Sequence, residues 1–72
     1  SEVVKDSEIL TTEEQLGLTK EQVQKLEDKS LEKEDRVEVA ILIMNGTYTF
    51  DEVMKELDVG KTVEELKKQN EN

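Results

Sequence analysis

The sequence predicts an all-α fold, a small bundle of four to five short helices. Three observations predict it. Four segments open with a threonine followed three residues later by Glu or Gln. One apolar set, Phe50, Val53, Met54 and Leu57, has the i, i+3, i+4, i+7 spacing of a helix face. The chain has no proline, and glycine falls at the ends of the apolar segments, where helices stop without a ring clash.

The threonine pairs are Thr11 with Glu14, Thr19 with Gln22, Thr49 with Glu52 and Thr62 with Glu65. Each fits a capping box, in which the threonine oxygen accepts from the third backbone N–H and the acid or amide accepts from the N–H of the cap residue. They predict helices near 12–16, 20–29, 50–57 and 63–69. Leu18 before the Thr19 cap can staple to Val23, and Tyr48 before Thr49 can staple to Val53. Gly17 divides the first two helices, and residues 57–60 divide the last two. The stretch 27–36 is charged except for Leu31 and reads as a solvated helix end or a linker.

The centre is ambiguous. Residues 36–44 read as a buried helix stopped by Asn45-Gly46. Residues 37–44 also read as a Val- and Ile-rich strand, with Asn45-Gly46 as a type I′ hairpin turn and 47–50 as the return strand. That alternative is an α+β chain, a helix, a β-hairpin over 37–50 and a helix. The capping box at Thr49 favours the helical reading, because it leaves only Thr47-Tyr48 for the second strand.

The expected organisation is a flexible arm over 1–10, a helical arm with a charged linker over 11–35, a compact three-helix unit over 36–69 and a polar tail at 70–72. Val37, Ile41, Met44, Phe50, Val53, Leu57, Val63 and Leu66 are the expected core, with residues 12–29 packed more loosely. The apolar run 39–44 has more sides than one small core covers, so part of it is expected to meet a partner or a second copy.

Composition narrows the function. Across 72 residues Asp and Glu outnumber Lys and Arg by 19 to 10, for a net charge of −9. Arg36 is the single arginine. Nucleic-acid binding draws on clustered Lys and Arg, so nucleic acid is not the expected partner. A basic protein is. No apolar run reaches the roughly 20 residues of a membrane span, and no signal-peptide pattern is visible. Cysteine and histidine are both absent. That removes disulfides, thiolate metal sites and the commonest catalytic base, and a reducing, cytoplasmic setting is the simplest fit. No phosphate-cradling glycine loop or EF-hand spacing occurs. Adjacent carboxylates such as Glu13-Glu14 and Glu64-Glu65 point in different directions on a helix and read as solvated surface. An enzyme, a metal and a cofactor are therefore not expected.

Residues 37–69 resemble a helix-turn-helix through Gly46, Thr49, Glu52-Val53, Leu57-Asp58-Val59, Thr62-Val63 and Leu66. The resemblance implies a DNA-reading second helix. It departs at Asp58, where a turn glycine is usual, and the 59–62 stretch is one residue short. The helix that would enter the groove carries Glu64 and Glu65 against Lys61, Lys67 and Lys68, a mixed rather than basic face. Leu16-Gly17-Leu18-Thr19 with Gln22-Val23 is similar to the turn and recognition-helix start of homeodomain-like units, and set against 57–60 and Val63 it hints at an imperfect internal repeat. Gly46 and Gly60-Lys61-Thr62-Val63-Glu64 also resemble ubiquitin-associated three-helix domains, which implies a ubiquitin-like ligand.

The expected function is a non-enzymatic acidic module that binds a basic protein, such as an inhibitor, antitoxin, anti-repressor or assembly factor, of the sort phages and plasmids encode. The alternatives are a helix-turn-helix regulator, possible as a homodimer, and a ubiquitin-like-binding module. The candidate contact residues are the carboxylates Glu13, Glu14, Glu21, Glu27, Asp28, Glu32, Glu34 and Asp35, with Met44 and Tyr48.

Overall fold

Threonine sets where four of the helices begin. A computed structural model describes residues 10–71 of the chain. The elements are α1 Thr12–Gln15, α2 Lys20–Asp28, α3 Lys33–Met44, α4 Phe50–Asp58 and α5 Val63–Glu71. No strand occurs among the described residues, so the hairpin alternative for 37–50 falls away. All four capping boxes form. The cap N–H groups of Thr11, Thr19, Thr49 and Thr62 donate to the side chains of Glu14, Gln22, Glu52 and Glu65 at 2.8–3.0 Å. The four threonine hydroxyls accept from the N–H of the same residues at 3.0–3.3 Å. Each cap contributes on the order of 1 kcal/mol. Helix α3 is the exception, since Glu32 at its N-cap makes no side-chain cap bond.

The C-terminal ends of α1 to α4 also share one chemistry. After α3, Gly46 takes φ +84°. Its N–H donates to the Ile43 carbonyl at 3.1 Å, and the Thr47 N–H reaches back to Leu42 at 3.0 Å. That is a Schellman closure. Asn45-Gly46 therefore ends a helix and does not turn a hairpin. The same pair of bonds closes α2 through Ser30, whose N–H donates to Glu27 at 2.8 Å while Leu31 bonds Leu26 at 3.3 Å. Ser30 sits at φ +67°, the one described non-glycine residue with positive φ.

Helix α3 is the centre of the assembly. It touches α1, α2 and α5, α1 touches α2, and α4 rests chiefly on α5. The buried apolar residues are Leu18, Leu26, Val39, Ala40, Leu42, Val53, Val63 and Leu66. Phe50, Leu57, Tyr48, Val23 and Leu31 pack around them, half-buried.

Four expectations are corrected here. The core face of α3 is Val39, Ala40 and Leu42, whereas Val37 and Ile41 are half-buried outside the core cluster and Met44 is 60% exposed. The helix is apolar on both sides, so its spacing fits two opposite faces, and packing against α1, α2 and α5 chooses between them. Residues 12–29 are no loose arm as regards burial, because Leu18 and Leu26 are fully part of the core. The stretch 27–36 holds only a four-residue turn, since α2 runs to Asp28 and α3 starts at Lys33. At the C-terminus α5 continues to Glu71, past the expected limit at 69. Residues 1–9 of the expected arm and Asn72 of the expected tail lie outside the described residues.

Two outcomes test this packing. Leu26→Ala should cost about 2–5 kcal/mol, while Met44→Ser should change stability by less than about 0.5 kcal/mol, both read by urea titration. If Met44→Ser proves the more damaging, the α3 face is assigned backwards. Ser30→Gly should raise stability by up to about 1 kcal/mol, because glycine adopts the left-handed region without the side-chain penalty. A lowered melting temperature would contradict the Ser30 geometry.

Candidate functional site

The expected contact residues divide into two groups once the helices assemble. Glu13, on the second position of α1, faces inward. It is the buried charged residue of the described chain, 2% exposed, which corrects its reading as solvated surface. The cause is Arg36 on α3, whose Nε donates to Glu13 Oε2 at 2.8 Å. The same guanidinium donates through Nη1 to the Leu31 carbonyl at 2.8 Å, and its Nη2 lies 3.7 Å from Glu27 on α2. One arginine thus connects two helices and a turn to α3. Nothing in the sequence distinguishes Glu13 from its neighbours. The available signal is that Arg36 is the only group with a planar fork able to hold several oxygens at once.

Burial pushes the Glu13 carboxyl pKa up. Its own backbone N–H, the Arg36 guanidinium and the Thr11 hydroxyl outweigh that and hold it below its ordinary value of 4.5. Glu14 is committed as well. The Thr11 N–H holds its pKa below 4.5, with Lys20 assisting, and Lys20 Nζ is 3.3 Å from its carboxylate. Tyr48 is half-buried. Its hydroxyl lies 2.9 Å from Gln69 Oε1 and 3.3 Å from the Leu66 carbonyl, tying the α3–α4 turn to α5.

The second group faces outward. Glu21, Glu27, Asp28, Glu32, Glu34 and Asp35 are exposed, and the last five surround the turn between α2 and α3. Asp28 accepts from Gln24 at 3.2 Å. Among the described residues Glu32, Glu34 and Asp35 make no side-chain hydrogen bond or ion pair. Glu34 and Asp35 lie in the first turn of α3, where the helix dipole favours negative charge and holds the helix end in place without a side-chain cap. Met44 is exposed at the other end of α3.

Beside the acidic turn is a half-open cleft of about 240 Å³, lined by Lys29, Ser30, Leu31, Asp35, Leu57, Lys61, Thr62 and Val63. It is smaller than the roughly 300–1,000 Å³ of typical small-molecule sites. Its two lysines already have partners. Lys29 pairs with Asp58, and Lys61 pairs with Glu56 at 3.0 Å, which raises the Lys61 pKa. Among the described residues no group of three or more acidic side chains is placed to hold a metal ion, and no helix is long and apolar enough to cross a membrane.

Helices α4 and α5 are joined by the four-residue turn 59–62, as in the helix-turn-helix resemblance. The left-handed glycine of that turn is Gly60, at φ +99°. Outward, α5 shows Glu64, Glu65 and Lys68. Comparison of the chain with protein-family models, with curated proteins and with solved structures gives no match.

The Glu13–Arg36 pair sets an expected pH dependence. A carboxyl with a lowered folded-state pKa contributes stability that is complete above its unfolded value, near 4.5, and lost as pH falls through the lower folded value. Thermal melts should therefore fall below about pH 4.5, and Glu13→Met should flatten that fall. At pH 7 Glu13→Met should cost about 3 kcal/mol, because it leaves Arg36 without its buried counter-charge. The double variant Glu13→Met with Arg36→Met should lose less than the two single losses added together. Additive losses would show that the pair is not coupled.

Proposed function

We propose that the chain is a non-enzymatic acidic module that binds a basic protein, in the manner of an inhibitor, an antitoxin, an anti-repressor or an assembly factor. The observation that carries this reading is the α2–α3 turn. Within nine residues it exposes Glu27, Asp28, Glu32, Glu34 and Asp35, on a chain of net charge −9. Glu32, Glu34 and Asp35 have no internal partner among the described residues, and their field is directed at solvent, where it steers a cationic partner toward the surface. Glu21 extends the same charge along α2. Glu13 and Glu14 serve the reading indirectly, since they fix α1 and leave the outward carboxylates to meet the partner.

A second reading, a small helix-turn-helix regulator, is favoured by one feature, the pair of capped helices α4 and α5 joined by a four-residue turn. The mixed charge on the outer face of α5 weighs against it.

One experiment separates them. The full chain is immobilised, exposed to a lysate of the source organism and eluted in a salt gradient. The triple variant Glu32→Gln, Glu34→Gln, Asp35→Asn is run beside it. The expected result is a basic protein that leaves the variant at lower salt, with an association rate reduced about tenfold at low ionic strength. Retention of DNA, steeply lost with salt, would replace this reading with the regulator. A partner held equally by both forms would remove the acidic turn from the interface.

A further inference from the structure

Helix α3 has an apolar face that the core does not use. Val39, Ala40 and Leu42 point inward and are buried. Val37, Ile41 and Met44 follow one another at spacings of four and three, so they form a single stripe on another side of the helix. Val37 and Ile41 are only half-buried and do not pack against the core cluster. Met44 is among the most exposed large apolar residues of the chain. The stripe spans seven residues, about 10 Å along the axis. That length matches the i, i+4, i+7 anchors by which one amphipathic helix lies along another.

The charge beside the stripe indicates what could cover it. Glu34 and Glu38 run along one side, three residues before Val37 and one after it. Glu34 is exposed, and Glu38 is held only by Lys67 at 3.8 Å. Lys33 stands on the other side. A second copy of the chain would set −9 against −9, a poor basis for association. A helix with apolar residues on one face and lysine or arginine flanking them satisfies both the stripe and the carboxylates. Methionine at the end of the stripe adapts its shape to the partner's side chains.

We propose that Val37, Ile41 and Met44 are the docking surface for a cationic amphipathic helix of a partner protein. This rests on the reading of the chain as an acidic protein-binding module and names where on it the partner sits.

The test uses the full chain labelled with ¹⁵N and two synthetic peptides of 18 residues. One places leucines at i, i+3, i+4 and i+7 with lysines elsewhere. The other has the same composition in scrambled order. The expected result is that the amphipathic peptide binds at least tenfold more tightly than the scrambled one and shifts the amide signals of residues 34–44. Met44→Ser and Ile41→Ser should each weaken it severalfold, with circular dichroism showing both variants folded. Met44 is exposed, so its variant remains informative if Ile41→Ser unfolds. If the amphipathic peptide binds but shifts only residues around Glu21 and Asp28, the module reading stands and this docking surface is overturned. If neither peptide binds, both are overturned. Concentration-dependent self-association that Met44→Ser abolishes would assign the face to a second copy and overturn the proposal. Shifts at Val37 and Ile41 caused by Val3→Ser and Val4→Ser without peptide would assign the face to the chain's own first residues, with the same consequence.

Discussion

The arrangement of the helices depends on one guanidinium. Arg36 holds Glu13 of α1, the Leu31 carbonyl of the α2–α3 turn and the edge of Glu27 on α2, each through a different nitrogen. A lysine's three N–H donors all radiate from a single nitrogen and lack the fixed planar fork that spreads the guanidinium's donors over three nitrogens. The short helix α1 has four residues, too few to persist alone. It is fixed on α3 by Glu13 and by its cap, and through it Leu18 is brought into the core. Removing the charge from Glu13 therefore disturbs the packing of α1 and α2 together, although neither residue of the pair belongs to the hydrophobic cluster.

The division of labour among the acidic residues follows from this. A chain with 19 carboxylates on 72 residues would repel itself if all of them faced the same water. Several are spent on structure. Glu14, Glu52 and Glu65 satisfy cap N–H groups, Glu13 neutralises Arg36, and Asp58, Glu56 and Glu38 accept lysines. Around the turn between α2 and α3, Glu32, Glu34 and Asp35 have no such duty among the described residues. Proximity to the α3 N-terminus makes that placement tolerable, so the charge that is free to act on a partner is also charge the fold accommodates.

What was legible in the sequence was local. A capping box involves residues three apart, so Thr11, Thr19, Thr49 and Thr62 could be placed without knowing what surrounds them, and all four form. Asn45-Gly46 was ambiguous because a left-handed glycine serves both a hairpin and a helix stop, and only the carbonyls of Leu42 and Ile43 decide between them. The face of α3 was not legible, because Val37, Ile41 and Met44 are as apolar as Val39, Ala40 and Leu42, and the choice is made by α1, α2 and α5. Burial of Glu13 was not legible either, since one glutamate reads like another until Arg36 is brought beside it across 23 positions. The end of α2 was placed within one residue, but its left-handed stop at Ser30 was not legible, for serine carries no preference for the backbone that glycine would have signalled. Of the candidate residues, Glu21, the carboxylates of the α2–α3 turn and Met44 are exposed, while Glu13, Glu14 and Tyr48 hold the helices together.

The repeated ends of the helices have a kinetic consequence. Each of α1 to α4 is closed by its own left-handed residue, and four helices open on their own threonine, so the signals that start and stop a helix lie within a few residues of it. Connections of four or five residues then bring neighbouring helices together without closing long loops. Helical chains dominated by local contacts fold on the microsecond to millisecond scale, and with reclosing that fast, attack on an open form follows its equilibrium population rather than the rate of opening. For a chain whose core is this small, susceptibility to attack is therefore set by the free energy of opening, to which the caps and the Glu13–Arg36 pair contribute.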